Sequence, residues 1–81
     1  MRGGTLLLRP AEAVELIETA RLRDRRIFGV DSFTVTDTAT VPLVKHILDL
    51  SNAAGTFDSW SAARRFVEER AHLGFVFEVV V

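Results

Sequence analysis

Apolar and polar positions change period several times along this chain, and each change marks an element. Between Pro10 and Leu22, residues Ala13, Val14, Ile17, Ala20 and Arg21 recur at helical spacing, while Glu12, Glu15 and Glu18 step along another face. Strong helix formers fill the stretch, and Pro10 suits a first helical position because the amide hydrogen it lacks would have no partner there. Early glutamates and late arginines complement the helix dipole. The spacing predicts a helix over 10–22. Residues 5–9 before it are a short apolar run between a glycine pair and a proline, the punctuation of a first strand.

Residues 27–33 contain Gly29 and Asp31 and read as a connector that becomes extended near Ser32. Phe33-Thr34-Val35-Thr36 then alternates apolar and hydroxyl side chains, the pattern of a strand with one wet face. Asp37-Thr38 turns the chain into a short return strand over 39–41. In residues 41–51, Leu43, Val44, Ile47, Leu48 and Leu50 fit helical spacing better than strict alternation, and Pro42 follows Thr40 as a cap would require. A short second helix is therefore expected. A small-residue loop over 51–57 centres on Gly55. A third helix, capped by Asp58 or Ser59, buries Trp60, Ala63, Phe66, Val67, Ala71 and Leu73 and stops at Gly74. Residues 75–81 are apolar on both pleat faces except at Glu78, as in a strand inside a sheet, and pairing with Leu6 to Leu8 at the sheet centre buries both chain ends.

These elements make an α+β fold: a mixed sheet of three or four strands with two to three helices packed mainly on one face. At 81 residues and 9.0 kDa, 1–81 is expected to form a single α+β domain. Its 48% hydrophobic and 26% charged composition is that of a folding sequence, not a disordered one. A formal charge of −1 offers no bulk positive field, so neither nucleic acid nor membrane is an expected partner. The absence of cysteine removes disulfides, thiolate zinc sites and cysteine nucleophiles, and suits a reducing compartment. Three consecutive leucines near the start fall short of a signal-peptide core, and no stretch approaches the ~20 apolar residues of a membrane span. A soluble, cytoplasmic protein is the expectation.

Candidate chemistry is sparse. His46, Asp49 and Ser51 would share a helix neighbourhood, but no nucleophile elbow or oxyanion loop accompanies them, and ordinary surface polarity explains them better than a hydrolytic triad. His46 and His72 lack a recognisable ligand spacing with Glu68 or Glu69, so no metal is expected. Gly3-Gly4 and Gly29 form no phosphate-cradling loop, so no cofactor is expected either. Asp31, Asp37, Asp49 and Asp58 are explained by turns and helix ends. The densest charge cluster is Arg21, Arg23, Arg25 and Arg26 around Asp24, with Arg64, Arg65 and Arg70 as neighbours. Arginine forks suit an acidic protein partner, although a solvated helix end explains most of the cluster. Phe57 and Trp60 form an aromatic pair that either anchors a partner or fills the core. Glu78 is the one carboxylate inside an apolar strand and either faces water or meets an arginine across strands or across a dimer interface.

Three stretches in order, Ile27-Phe28-Gly29-Val30-Asp31-Ser32-Phe33, Ile47-Leu48-Asp49-Leu50-Ser51 and Phe75-Val76-Phe77-Glu78-Val79-Val80, resemble a pattern in small bacterial proteins of unassigned function. The resemblance spans about two thirds of the chain and rests mostly on core and turn residues. It implies a small α+β fold and no enzyme, and it carries over no catalytic residue. The functional expectation is a small non-enzymatic protein-interaction module that self-associates as a dimer, because the final strand has more apolar surface than so small a protein easily covers. The alternative is an immunity- or antitoxin-type inhibitor that binds one specific partner protein, with partner-binding residues among Arg21, Arg23, Arg25, Arg26, Phe57, Trp60 and Glu78.

Overall fold

In the computed structural model, which describes residues 6–53 and 57–81, the chain runs α1 (Pro10–Leu22), β1 (Gly29–Val35), β2 (Thr40–Asp49), α2 (Ser59–Arg70), one 3-10 turn (Ala71–Leu73) and β3 (Val76–Val80). The strands form one sheet in the order β2-β1-β3, antiparallel at both junctions. This is an α+β fold with two helices, but the sheet is antiparallel and not mixed. The reason is connectivity: a tight turn makes β2 antiparallel to β1, and α2 returns the chain so that β3 enters on the far side of β1.

α1 covers the residues its spacing predicts and buries Ala13, Ile17 and Ala20. The Glu12 carboxylate accepts the Arg9 amide at 2.9 Å, which satisfies a backbone donor at the helix start. After the helix the chain reverses at Asp24, whose φ of +54° is the left-handed conformation common just beyond helix ends.

β1 becomes extended at Gly29, earlier than Ser32, and is the central strand. Its neighbour β2 replaces the expected second helix. The hairpin turn falls at Asp37-Thr38 as the sequence predicts, with the Thr36 amide donating to the Ala39 carbonyl at 2.8 Å and the Ala39 amide donating to Thr36 Oγ1 at 3.0 Å. The apolar spacing of β2 misleads because the strand is interrupted. Phe33 pairs with Pro42 and Asp31 with Ile47, so two steps on β1 face five on β2 and residues 43–46 form a wide bulge. Alternation restarts beyond the bulge in a new register, and the two halves read together imitate a helical period. Thr40, Val41, Val44 and Ile47 supply the β-branched content that favours the strand.

The pleat sets the two sheet faces. Val30 and Ser32 of β1, Phe77 of β3 and Leu48 of β2 turn toward the helices, where Ile17, Ile27, Ala63, Phe66, Val67 and Phe77 form the core cluster. The Phe66 and Phe77 rings meet edge to face at 6.5 Å. Ser32 is 1% exposed, and its hydroxyl has no hydrogen-bond partner among the described protein atoms. An unpaired buried hydroxyl costs about 1–3 kcal/mol. Ser32→Ala should therefore raise stability by about 1 kcal/mol after the small loss of packing, measured by urea denaturation; a loss of stability would show that the hydroxyl is satisfied in solution.

α2 starts at Asp58, whose carboxylate accepts the Ser61 amide at 2.9 Å, while the buried Ser59 hydroxyl accepts the Ile27 amide at 3.1 Å. Of the two cap candidates, Asp58 caps and Ser59 ties the helix start to the chain entering β1. The buried stripe is shorter than the sequence implies. Ala63, Phe66 and Val67 are buried and Trp60 is partly buried, but Ala71 and Leu73 are exposed because the α-helix ends at Arg70. Gly74, at φ +76°, stops the following turn.

β3 is an edge strand, not the sheet centre. The expected first strand is reduced to one bridge, in which Leu8 and Phe77 exchange both amide-carbonyl bonds at 2.8 Å; Thr5 and Gly55 lie outside the described residues. Pro10 starts α1 two residues after Leu8 and ends any pairing on that side of the bridge. No helix among the described residues is long and apolar enough to cross a membrane.

Candidate functional site

Helices occupy one face of the sheet, so residues of the opposite pleat phase lie on a face that no element among the described residues covers. Register arranges them in rows across the three strands: Asp49, Gly29 and Val80; Ile47, Asp31 and Glu78; Pro42, Phe33 and Val76. Ile47, Val80 and Val35 are exposed at 47%, 40% and 57%, a large apolar content for a face open to water. Asp31 and Glu78 sit directly opposite each other in its middle, both half-buried. Neither makes an ion pair among the described residues. At one end Phe28, Asp31, Ile47, Asp49 and Val80 surround a depression of about 300 Å³ with Gly29 in its lining.

Of the residues expected at a partner site, only Glu78 lies on this face. Asp31, read from sequence as a turn residue, belongs here too, in the middle of β1. The signals in the sequence were the Phe33 to Val35 alternation and the carboxylate inside an apolar strand. The missing information was the register that sets Asp31 opposite Glu78.

The arginine cluster is dispersed by its own contacts. Arg21 pairs with Glu18 one helical turn back and lines a polar depression with Trp60 and Arg64, so these three do come together. Arg23 and Arg25 are exposed, and the Arg25 carbonyl accepts the Trp60 indole N–H at 2.9 Å, which seats the ring against the core. Arg26 donates to the Leu50 and Ala53 carbonyls, both at 2.7 Å, and its guanidinium lies 5.1 Å from the Phe28 ring centroid. It acts as a staple for the chain leaving β2. Phe57 is exposed at 45%. Arg70 is at the far end of α2 from this group, where its guanidinium lies 3.8 Å over the Phe66 ring and donates to the Phe66 carbonyl and to His46 Nδ1.

That bond makes His46 an acceptor at Nδ1, and its ring also lies 5.0 Å from Phe75. Asp49 instead accepts the Ser51 hydroxyl at 2.6 Å. On a strand, positions three apart point to opposite faces, so His46 and Asp49 do not share the face a helix would have given them. Among the described residues, no three His, Asp or Glu side chains gather as a metal-binding group.

Three exposed carboxyls are held below the ordinary range. The cause is the Arg21 hydrogen bond for Glu18, the Ser51 hydroxyl for Asp49 and the Ser61 amide for Asp58. Each folded-state pKa is depressed, so the stability these groups contribute is present above the unfolded value of about 4 and is lost as pH falls through the folded one. The melting temperature should stay level from pH 7 to about 5 and decline below about 4. Asp58→Asn keeps a competent cap and should make that decline shallower; an unchanged acid profile in this variant would remove Asp58 from the account.

Compared with known families, curated proteins and solved structures, the chain matches no family model, no curated protein and no solved structure.

Proposed function

We propose that this protein is a non-enzymatic protein-interaction module and that the uncovered sheet face is its docking surface. The observation that carries the reading is the apolar set Phe33, Ile47, Val76 and Val80 on a face that neither helix covers. An antiparallel sheet can leave one face to water, but that face is then ordinarily polar, whereas here Ile47, Val80 and Val35 are exposed beside the half-buried Phe33 and Val76, a surface that favours a partner. The sheet edges are poorer docking places. β2 carries Pro42, Lys45 and a bulge along its outer edge, and β3 is bridged by Leu8; these features discourage strand addition.

The test places a photo-reactive phenylalanine analogue at position 33 and, separately, at the exposed Leu22 on α1. Irradiation in the source cells should yield a discrete adduct from position 33 and none from position 22. Val76→Arg on the same face should abolish the adduct with the melting temperature unchanged. An adduct near twice the 9.0 kDa chain mass means self-association, and a different mass means another protein. Equal adducts from both positions, or none from position 33, overturn the reading.

A further inference from the structure

The charge on this face distinguishes between occupants. Asp31 and Glu78 are direct cross-strand neighbours, an arrangement in which like charges repel at about 5 Å between Cβ atoms. Asp49 adds a third carboxylate one row away. Lys45 is the only Lys or Arg in any of the three strands, and it lies in the bulge at the outer edge. Arg26 reaches the rim through Phe28, but its guanidinium is committed to the Leu50 and Ala53 carbonyls. Arg21, Arg64 and Arg70 are engaged with Glu18, Glu68 and His46 on the helices and beneath the bulge. Among the described residues the face is therefore apolar and acidic, and no cation there pairs with the central Asp31 and Glu78.

Resting on the docking reading above, we infer that the occupant is a cationic amphipathic segment of a different protein, with apolar side chains over Phe33 and Val76 and a Lys or Arg between Asp31 and Glu78. A second copy laid face to face would bring two such carboxylate pairs together across the ~10 Å spacing of stacked sheets, with no strand cation between them other than Lys45 at the outer edge. A lysine or arginine stem suits the depression as well, because its methylenes can lie over Ile47 and Val80 while its charge reaches Asp31 and Asp49. Like charges directly opposite on adjacent strands disfavour one another, and a cation bound between Asp31 and Glu78 would offset that.

The probe is a fluorescent amphipathic peptide of leucine and lysine, with a leucine and glutamate peptide of the same pattern as control, followed by anisotropy at low salt. The lysine peptide should bind and the glutamate peptide should not. Asp31→Asn combined with Glu78→Gln should weaken lysine-peptide binding at least about tenfold while raising the melting temperature. Glu12→Gln combined with Glu15→Gln removes the same formal charge from α1, keeps the capping contact, and should leave binding unchanged. Equal weakening by the two double variants, or no weakening by the first, overturns the inference and leaves the docking reading to the photo-adduct result. Sedimentation showing a dimer at micromolar concentration that the lysine peptide does not dissociate also overturns it, in favour of a second copy.

Discussion

Phe77→Ala is expected to remove about 3–5 kcal/mol from the free energy of unfolding, the range for truncating a fully buried aromatic ring. At roughly 0.05–0.15 kcal/mol per residue, a chain of this size has about 4–12 kcal/mol in total. The variant would therefore be largely unfolded at the lower end of that range. Three features make this position exceptional. Phe77 is 0% exposed and is the largest fully buried side chain. Its ring meets Phe66 of α2, and its backbone makes the bridge to Leu8 that ties β3 to the segment before α1. Phe77 thus joins the edge strand to the helix layer more deeply than the partly buried Val79 beside it. Equilibrium urea denaturation of Phe77→Ala and Phe77→Leu should show the alanine variant far less stable and the leucine variant intermediate. A loss below about 1 kcal/mol for alanine would mean that β3 does not insert this ring into the core.

Gly29→Ala should destabilise the protein by about 1–3 kcal/mol, against the usual direction of a glycine replacement. Replacing glycine by alanine where the backbone permits it stabilises by about 0.4–1 kcal/mol, because the unfolded chain loses freedom. At Gly29 a Cβ would lie 2.7 Å from the Leu48 carbonyl oxygen, a distance at which something must move. The obstacle is backbone, so no rotamer change relieves it. β1 and β2 would have to separate just where Val30 and Leu48 bring their side chains to the helices. Thermal melts of wild type and variant decide the sign, and an equal or higher melting temperature would show that the strands can separate there without cost.

The functional surface was only partly legible in the sequence. Glu78 stood out because a carboxylate in an otherwise apolar strand needs an explanation. Asp31 did not, since an aspartate beside a glycine has the composition of a turn. What distinguishes them is pairing: Asp31 faces Glu78 across one ladder and Ile47 across the other, and neither relation follows from local spacing. The arginine cluster is the converse case. Its density along the chain suggested a binding patch, yet Arg21 and Arg26 are occupied by Glu18 and by backbone carbonyls respectively.

The sequence by itself determined α1, α2, the Asp37-Thr38 turn and the extended final segment, because each depends on interactions within a few residues: helical spacing, caps, turn residues and strict alternation. Only the tertiary structure decided that residues 40–49 form a strand, that β1 and not β3 is central, and that both helices leave the same sheet face uncovered. Those outcomes depend on which distant segments supply hydrogen bonds and cover apolar surface. The four-residue bulge in β2 is invisible until its partner's register is known.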